Sequence, residues 1–382
     1  MPSQKLNVIS HCQRSPWFDK TRNDGSIYTE YAGRLVLQSL GGDAVEEYWT
    51  LRKAVGLFDV PERPIEISGR DSVAFLNRVL TRPVDKLRVG RGSYGLLCHR
   101  DGGLVCDGIL FRLSQDRFWY VHADADVFLW LNALAIDCQV DIRDPGSWVL
   151  QVQGPKSLHV LERACDGGAP RQFRYFDAFE GRMGGQPVLV SRTGWSAELG
   201  FEVYNMEPDV DGPALWDHLI AAGADYGIRP CGQMSMNIRR IEGGILNYRS
   251  DMDWDTTPFD MGLGAFVDLD GHDFIGREAL RNASKSARFT GFKCDPRQVR
   301  FGTSLVSSGQ SIGRVTAYEI SPYLECGVGF ALLDTAEHLD CADVTVQDRD
   351  GNPCPLEFVA LPFYDVDKHI PRGLPSTDDI TD

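Results

Sequence analysis

The chain has 382 residues, enough for two or three packed units, and its 43% hydrophobic and 24% charged residues are typical of a water-soluble globular protein. Asp and Glu outnumber Lys and Arg 54 to 39, so the formal net charge of −15 argues against nucleic acid or an anionic membrane as a partner. No apolar run reaches the roughly 20 residues that span a bilayer, and the first residues carry no secretory signal, so we expect a cytoplasmic protein.

The ten cysteines and eight histidines are dispersed along the chain. No two cysteines form a C-x-x-C pair, and no histidine pattern has the spacing of zinc ligands. The motifs of serine hydrolases, P-loop proteins and nicotinamide-binding domains are also missing. We therefore predict reduced thiols and no metal site.

The first half of the chain predicts a mixture of helices and strands. Its first fifty residues look irregular and aromatic, and apolar spacing predicts a helix over residues 43–58. Ile65 and Ile67 alternate with polar residues as in a short strand, and a helix follows over residues 68–80. Residues 94–121 are typical of a hairpin, and residues 124–135 of an amphipathic helix.

The second half continues this mixture and then becomes rich in strands. Residues 148–164 predict a strand followed by a helix, residues 187–204 a strand pair, and residues 214–228 a helix. After Phe292, short strands alternate with Gly, Pro and Asp, which indicates an all-β domain. Because strands and helices do not alternate regularly, the predicted class is α+β.

Tyr94 and Asp107 lie on the two arms of the predicted hairpin, and Asp107 interrupts an apolar run. A buried carboxylate costs several kcal/mol unless it is partnered, so Asp107 needs either a hydrogen-bond network or a chemical role. An aspartate on an edge strand that faces water is the alternative interpretation.

Three further segments place polar or aromatic groups in apolar surroundings. Trp195 occupies a tight turn, and Glu202 lies between two apolar residues of an alternating strand, where facing solvent is the alternative. Residues 242–255 form an acid-rich loop that solvation alone explains, and the turn at Gly154 is more typical of packing than of phosphate binding. None of these segments is decisive alone.

Together, the segments resemble the folate-dependent aminomethyltransferase family, which contains the T-protein of glycine cleavage. The resemblance extends from about Tyr48 to Leu332, and the segments that carry it are RKAVGLFDV, DGGLVCDGILF, VQGPKS, SRTGWSAELGFEVY, RPCGQMSMNIRRIEGG, DFIGREAL and ISPYLECGVGFAL. It implies a three-domain ring, or cloverleaf, with tetrahydrofolate in a central channel.

The resemblance also implies how the chain divides. We expect a discontinuous folate-binding domain of residues 1–55 and 142–285, with residues 56–141 inserted as a second α+β domain. Residues 286–382 form the C-terminal all-β domain, barrel-like or jelly-roll-like, which ends in a frayed acidic tail.

Three residues match functional positions of the family. Tyr94 matches its folate-contacting tyrosine, Asp107 the aspartate beside the reaction centre, and Glu202 the glutamate that binds the amide and amino edge of the pterin. A carboxylate accepts two parallel N–H donors from such an edge. With Trp195 added, these residues are the predicted folate-binding set, and Asp107 is the predicted catalytic residue.

Three departures from glycine-cleavage T-proteins argue for another substrate. Trp195 replaces the tyrosine of R-T-G-Y, Met236 replaces the arginine of G-A-R-D, and Cys106 replaces the first member of a double aspartate. VEEYWTLR, RTGWS and RRIEGGILNYRSDMD resemble dimethylsulfoniopropionate demethylases more closely, whereas DGILF also resembles methoxy-arene demethylases.

These resemblances predict a tetrahydrofolate-dependent demethylase that transfers methyl from a small donor to N5, with a sulfonium donor as the first choice. A methyl sulfonium prefers aromatic faces. Trp195 is the first candidate, followed by Trp17, Tyr28, Tyr31 and Trp254.

Several alternatives stay open. They are methoxy-arene O-demethylation, glycine-cleavage aminomethyl transfer and folate binding without turnover. The predicted partners are tetrahydrofolate and a small methyl donor. The donor's identity, the oligomeric state (a homodimer included) and the basic patch for the folate glutamate tail stay open as well.

Overall fold

The computed structural model describes residues 12–376 and 378. Four groups of strands organise this part of the chain: a two-stranded hairpin, a five-stranded sheet, a six-stranded sheet and a closed six-stranded barrel. None of its helices is long and apolar enough to cross a membrane. Of the predicted frayed tail, residues 377 and 379–382 lie outside the described residues.

The N-terminal region departs from the sequence prediction twice. Its irregular first part contains a hairpin, and the helix predicted over residues 43–58 ends at Lys53, beyond which every residue of the next strand is buried. The Asp43 side chain caps this helix by accepting a hydrogen bond from Val45 N. The elements are α1 (Phe18–Thr21), β1 (Ile27–Tyr31), β2 (Arg34–Ser39), α2 (Ala44–Lys53) and β3 (Val55–Val60).

The five-stranded sheet confirms the predicted hairpin and both predicted helices of its region. Its elements are β4 (Arg63–Ser68), α3 (Ser72–Val79), β5 (Arg91–Cys98), β6 (Leu104–Arg112), β7 (Arg117–His122), α4 (Val127–Leu134) and β8 (Asp141–Arg143). The strand order is β5-β6-β7-β4-β8. Apolar side chains of α3 and α4 pack on one face, which leaves the other face of β5 and β6 available to a cavity.

The six-stranded sheet has the order β10-β11-β12-β9-β3-β13. Its elements are β9 (Val149–Gln153), α5 (Ser157–Ala164), β10 (Ala178–Met183), β11 (Gln186–Ser191), β12 (Gly200–Asn205), α6 (Gly212–Gly223), β13 (Ile228–Cys231) and α7 (Gln233–Glu242), with α8 (Arg277–Asn282) following. Apolar residues of β9, β11 and β12 form one core with α5 and α6. Along each of these three strands, the residues that alternate with the core residues therefore point to the opposite face of the sheet, because side chains alternate along a strand with a period of two.

The predicted C-terminal all-β domain is a closed barrel. Its elements are β14 (Phe289–Cys294), β15 (Ser304–Ser307), β16 (Gln310–Ser321), β17 (Cys326–Leu333), β18 (Thr345–Gln347) and β19 (Pro353–Val359), and α9 (His369–Arg372) follows. The strand order is β14-β17-β16-β15-β18-β19, and β19 pairs back with β14. Closure removes the unpaired sheet edges that would otherwise attract other chains.

The division into domains stays a proposal. Strand β3 pairs with β9 and β13, which both lie within residues 142–285. We therefore propose that the boundary first placed after residue 55 lies beyond Val60.

Candidate active site

One cavity of about 1140 Å³ lies where the N-terminal hairpin, the two large sheets, the loop after α7 and the C-terminal helix α9 meet. Pockets for small molecules usually measure about 300–1,000 Å³, so this space admits a cofactor-sized ligand together with a second, smaller molecule. Tyr31, Tyr94, Asp107, Trp195 and Glu202 all line it. The structure thus brings together five site residues that are far apart in the sequence.

Asp107 and Tyr94 form a hydrogen-bonded pair on the cavity face of the β5–β6 hairpin. Asp107 lies opposite Leu96, and Tyr94 lies opposite Ile109, so the two side chains are diagonal neighbours on one face. Tyr94 OH donates to Asp107 Oδ2 at 2.8 Å. Burial raises the pKa of Asp107 to about 6, although the hydrogen bond from Tyr94 lowers it. Asp107 is therefore ionised at neutral pH but can take up a proton at modest cost.

Glu202 is held by a polar network that crosses three strands. Ser191 lies opposite it on β11, and Gln151 lies opposite it on β9. Glu202 Oε1 accepts from Gln151 Nε2 at 2.8 Å, and Oε2 accepts from the hydroxyls of Thr193 at 2.5 Å, Tyr204 at 2.7 Å and Ser191 at 3.3 Å. The carboxylate is 4% exposed, so facing bulk solvent is not its role. Burial raises the pKa of Glu202, but the hydroxyl donors favour its ionised form.

Trp195 is joined to the same network. Its backbone N–H donates to Gln151 Oε1 at 3.4 Å, and its indole N–H donates to Leu246 O at 3.3 Å. The guanidinium carbon of Arg240 lies 5.2 Å from the centre of its ring. Trp195 therefore lies beside Gln151, and one cation already contacts its ring.

Tyr31 reaches the cavity from the N-terminal hairpin. Its hydroxyl donates to Asn247 Oδ1 at 3.1 Å. Burial raises the pKa of Tyr31, and the negative charges of Asp124 and Asp107 raise it further. Tyr31 thus lies near the Asp107 end of the cavity and keeps its proton at neutral pH.

Three of the predicted aromatic residues are not brought to the cavity. Trp17 is fully buried in the core of the six-stranded sheet. Tyr28 shares a hydrogen bond with Thr21, and Trp254 is half exposed and stacks on His99 at 4.2 Å. These three aromatic side chains contact other parts of the fold, and the sequence alone cannot distinguish such packing from ligand binding.

Met236 also lies away from the cavity wall. It is fully buried in a core that includes Leu51 and Tyr204, whereas Met234 and Asn237, its neighbours on α7, line the cavity. The Met236 side chain therefore contributes nothing to the cavity surface of this chain. What its replacement of the arginine means for the substrate stays a prediction.

A group of cationic side chains lines the cavity and was not found from the sequence. We call it the cationic rim, and it consists of Arg91, Arg174, Arg192, Lys368 and Arg372. Arg192 Nη2 donates to Arg372 O at 2.6 Å, which ties the C-terminal helix to the sheet. The rim is assembled from four distant segments, so no local run of basic residues reveals it.

The buried network around Gln151 had a sequence signal that can be recognised in retrospect. Gln151 and Gln153 interrupt an apolar strand, as Asp107 does, and both are fully buried. A buried amide needs hydrogen-bond partners, so polar residues inside an apolar strand mark the sheet face that carries a site.

Within residues 12–376 and 378, no group of three His, Cys, Asp or Glu side chains could hold a metal ion.

Comparisons with known proteins agree on one family. Residues 7–271 match the family model described as GCVT N-terminal domain, and residues 288–365 match that of the glycine cleavage T-protein C-terminal barrel domain. The chain is 33% identical to the aminomethyltransferase of Corynebacterium aurimucosum over 340 residues, which cover 85% of this chain and 90% of that protein. It is 31% identical to the aminomethyltransferase of Bacillus subtilis over 374 residues, 92% of this chain and 99% of that protein.

A solved structure agrees with these relatives. The crystal structure of glycine cleavage system aminomethyltransferase T from Bartonella henselae is similar to this fold with a TM-score of 0.84. At 25% sequence identity, the match covers 92% of this chain and 98% of that one.

Proposed function

Since the chain belongs to the glycine cleavage T-protein family of folate-dependent aminomethyltransferases, we propose that it transfers a methyl group from a small donor to N5 of tetrahydrofolate. The observation that carries the proposal is the single cavity that Asp107 and Glu202 both line. A binding carboxylate and a proton-accepting carboxylate in one enclosed space are what a reaction on bound folate requires.

The shape and charge of the cavity fit a folate. The pterin ring lies at Glu202, where Oε1 keeps acceptor capacity beyond the hydrogen bond from Gln151. The glutamate tail carries carboxylates, and the cationic rim supplies the basic patch that this tail needs in a protein of net charge −15.

In the proposed reaction, the N5 lone pair forms a bond to the donor methyl carbon, and the bond from that carbon to sulfur breaks. The electron pair of this bond leaves with a neutral sulfide, so the leaving group needs no proton. The proton of N5 passes to Asp107, whose pKa of about 6 suits a base at neutral pH. The protein aligns the two substrates and excludes water.

A sulfonium such as dimethylsulfoniopropionate remains our first choice of donor. The supporting residues are the aromatic rings of Trp195 and Tyr31, which line the cavity. A methoxy donor would leave as an alkoxide or phenoxide and would need a proton from an acid such as Tyr94 or protonated Asp107.

Aminomethyl transfer from a lipoyl-carrying protein is the second candidate. One observation favours it: the relatives are named aminomethyltransferases. Both candidates bind the same folate and form a bond at N5, but aminomethyl transfer also releases ammonia and bonds the carbon to N10, which gives methylenetetrahydrofolate.

The deciding experiment incubates the protein with tetrahydrofolate and one donor at a time. The donors are dimethylsulfoniopropionate, glycine betaine, a methoxy-arene and an aminomethyl-lipoyl protein, and the folate products are separated by chromatography. We expect 5-methyltetrahydrofolate from the sulfonium. Methylenetetrahydrofolate from the aminomethyl donor alone would establish the second candidate, and folate binding without any product would indicate a binding protein.

A further inference from the structure

Glu62 is a further carboxyl group in the wall of the cavity, beside Glu202, and it lies in the short connection between β3 and β4. Gln151 Nε2 donates both to Glu62 Oε1 at 3.0 Å and to Glu202 Oε1 at 2.8 Å. The N–H of Trp195 donates to Gln151 Oε1, which orients this amide so that its NH₂ group faces both carboxyl groups. One amide therefore joins the two side chains and sets their separation.

The two carboxyl groups differ in how much of their hydrogen-bonding capacity is used. Oε2 of Glu202 already accepts from three hydroxyls. Oε2 of Glu62 is buried and has no hydrogen-bond partner. A buried polar atom without a partner costs free energy, so this oxygen is available to a polar group of a ligand bound in the cavity.

The surroundings decide which carboxyl group keeps its proton. Four side-chain donors stabilise the charge of Glu202, whereas Glu62 has one, the Gln151 amide. Burial and the negative charge of Glu202 raise the pKa of Glu62 to about 8, with Asp59 adding to the shift, and its own backbone N–H and Arg34 opposing it. The nearby phenols of Tyr31 and Tyr204 stay neutral because their own pKa values are raised.

At neutral pH the cavity thus presents an ionised acceptor, Glu202, beside a neutral acid, Glu62. The amide edge of a pterin has the complementary order: the 2-amino group and N3–H donate, and the adjacent 4-oxo group accepts. An ionised carboxylate suits the two donors, and a neutral carboxylic acid suits the oxo group.

We propose that Glu62 is a specificity residue of the pterin pocket, which donates a hydrogen bond from Oε2 to the 4-oxo group while Glu202 Oε1 accepts from the adjacent N–H. This inference rests on the proposed function, because it takes folate as the ligand. It predicts discrimination between 4-oxo and 4-amino pteridines, since a 4-amino group would place a donor against the donor of Glu62, and the 4-amino form also lacks the N3–H that Glu202 accepts.

The test measures binding of folic acid and of its 4-amino counterpart aminopterin, by calorimetric titration between pH 6.5 and 9.5. We expect the wild-type protein to prefer folic acid by about tenfold at pH 6.5, as one mismatched buried hydrogen bond implies. The preference falls as pH rises through about 8, because Glu62 loses the donated proton.

Two substitutions separate the donated hydrogen bond from mere packing. Glu62→Gln keeps a donor at this position, so the preference persists and no longer changes between pH 7 and 9.5. Glu62→Ala removes the donor of Glu62, so the preference becomes smaller and loses its pH dependence while both ligands still bind; the part that comes from the missing N3–H at Glu202 remains. Glu47→Gln is the control, because Glu47 is half-buried and lies outside the cavity with its Oε2 on Gly232 N; it should behave as the wild type.

The outcomes distinguish this inference from the proposed function. Wild-type protein that binds neither ligand refutes the folate assignment itself. Binding of both ligands, with a preference that Glu62→Ala leaves intact, refutes only the role of Glu62. Circular dichroism and the thermal midpoint of each variant show that any loss of preference comes from a folded protein.

Discussion

The two ends of the cavity use the same chemical group in different settings. Glu202 accepts four hydrogen bonds, from its own strand, the two neighbouring strands and the adjoining turn. The side-chain hydrogen bond to Asp107 comes from Tyr94, on the other strand of its hairpin. Burial raises the pKa of both. Many fixed donors hold a carboxylate in place and keep it charged, which suits ligand recognition. A carboxylate with a single phenol donor can gain or lose a proton more easily, which suits proton transfer.

Strand register explains the difference. The strand neighbours of Glu202 are Ser191 and Gln151, both polar. Across the β5–β6 hairpin, Asp107 faces Leu96, which has no side-chain donor. The polarity of the facing strands thus sets how many side-chain donors each carboxylate receives, which agrees with the binding role proposed for Glu202 and the proton-accepting role proposed for Asp107.

The largest expected effect is that of Glu202→Ala, which should abolish detectable folate binding. The change removes the pterin acceptor and leaves the amide and the three hydroxyls around it without their acceptor. We also expect a loss of about 3 kcal/mol in the free energy of unfolding, measured by urea denaturation. Glu202→Gln is the milder companion; folate titrations that match the wild type in both variants would remove Glu202 from the pterin site.

Asp107→Asn should lower turnover at least 100-fold, about the contribution of one general base. The folate dissociation constant should stay within about threefold, because an amide oxygen still accepts from Tyr94. In the wild type, turnover should fall as pH drops through about 6, since the proton-accepting form of Asp107 is then lost. If Asp107→Asn instead lost folate binding but kept its turnover number, Asp107 would be a folate-binding residue and not the proton acceptor.

Arg174→Ala should weaken binding of a polyglutamyl folate about fivefold at low salt, and the effect should shrink at high salt because exposed charges are screened. Arg174 is an exposed arginine of the cationic rim, in the loop before β10. Folate without its glutamate tail is the control ligand, whose affinity should not change. Equal losses for both ligands would place the tail elsewhere.

Met236→Leu should change neither folate affinity nor the Michaelis constant of the donor by more than about twofold. The side chain is fully buried in the core, and a swap of similar volume costs less than about 1.5 kcal/mol. Steady-state kinetics with the preferred donor test this expectation. A marked change in the Michaelis constant would show that position 236 helps to determine the choice of substrate.

Local patterns were sufficient for much of the fold and for part of the site. The hairpin that carries Asp107, the alternating strand of Glu202 and the strand-rich C-terminal region were predictable because period and turn residues act locally. The helix predicted beyond Lys53 was wrong, because pairing with the six-stranded sheet outweighs apolar spacing at Val55–Val60. Glu62 and the cationic rim depend on contacts between distant segments, which no local pattern contains.

The C-terminal helix α9 has a consequence for how this protein responds to its ligand. Lys368 Nζ donates to Gly243 O, and the Arg372 carbonyl accepts from Arg192, so the end of the chain docks on the body through the cationic rim. An anionic ligand held by the rim would contact both partners of this docking and strengthen it. Ligand binding at the cationic rim and docking of α9 on the rest of the protein are then linked equilibria. We expect a saturating folate to slow proteolytic cleavage at α9, so the rate of cleavage at this helix reports on ligand binding in the cavity.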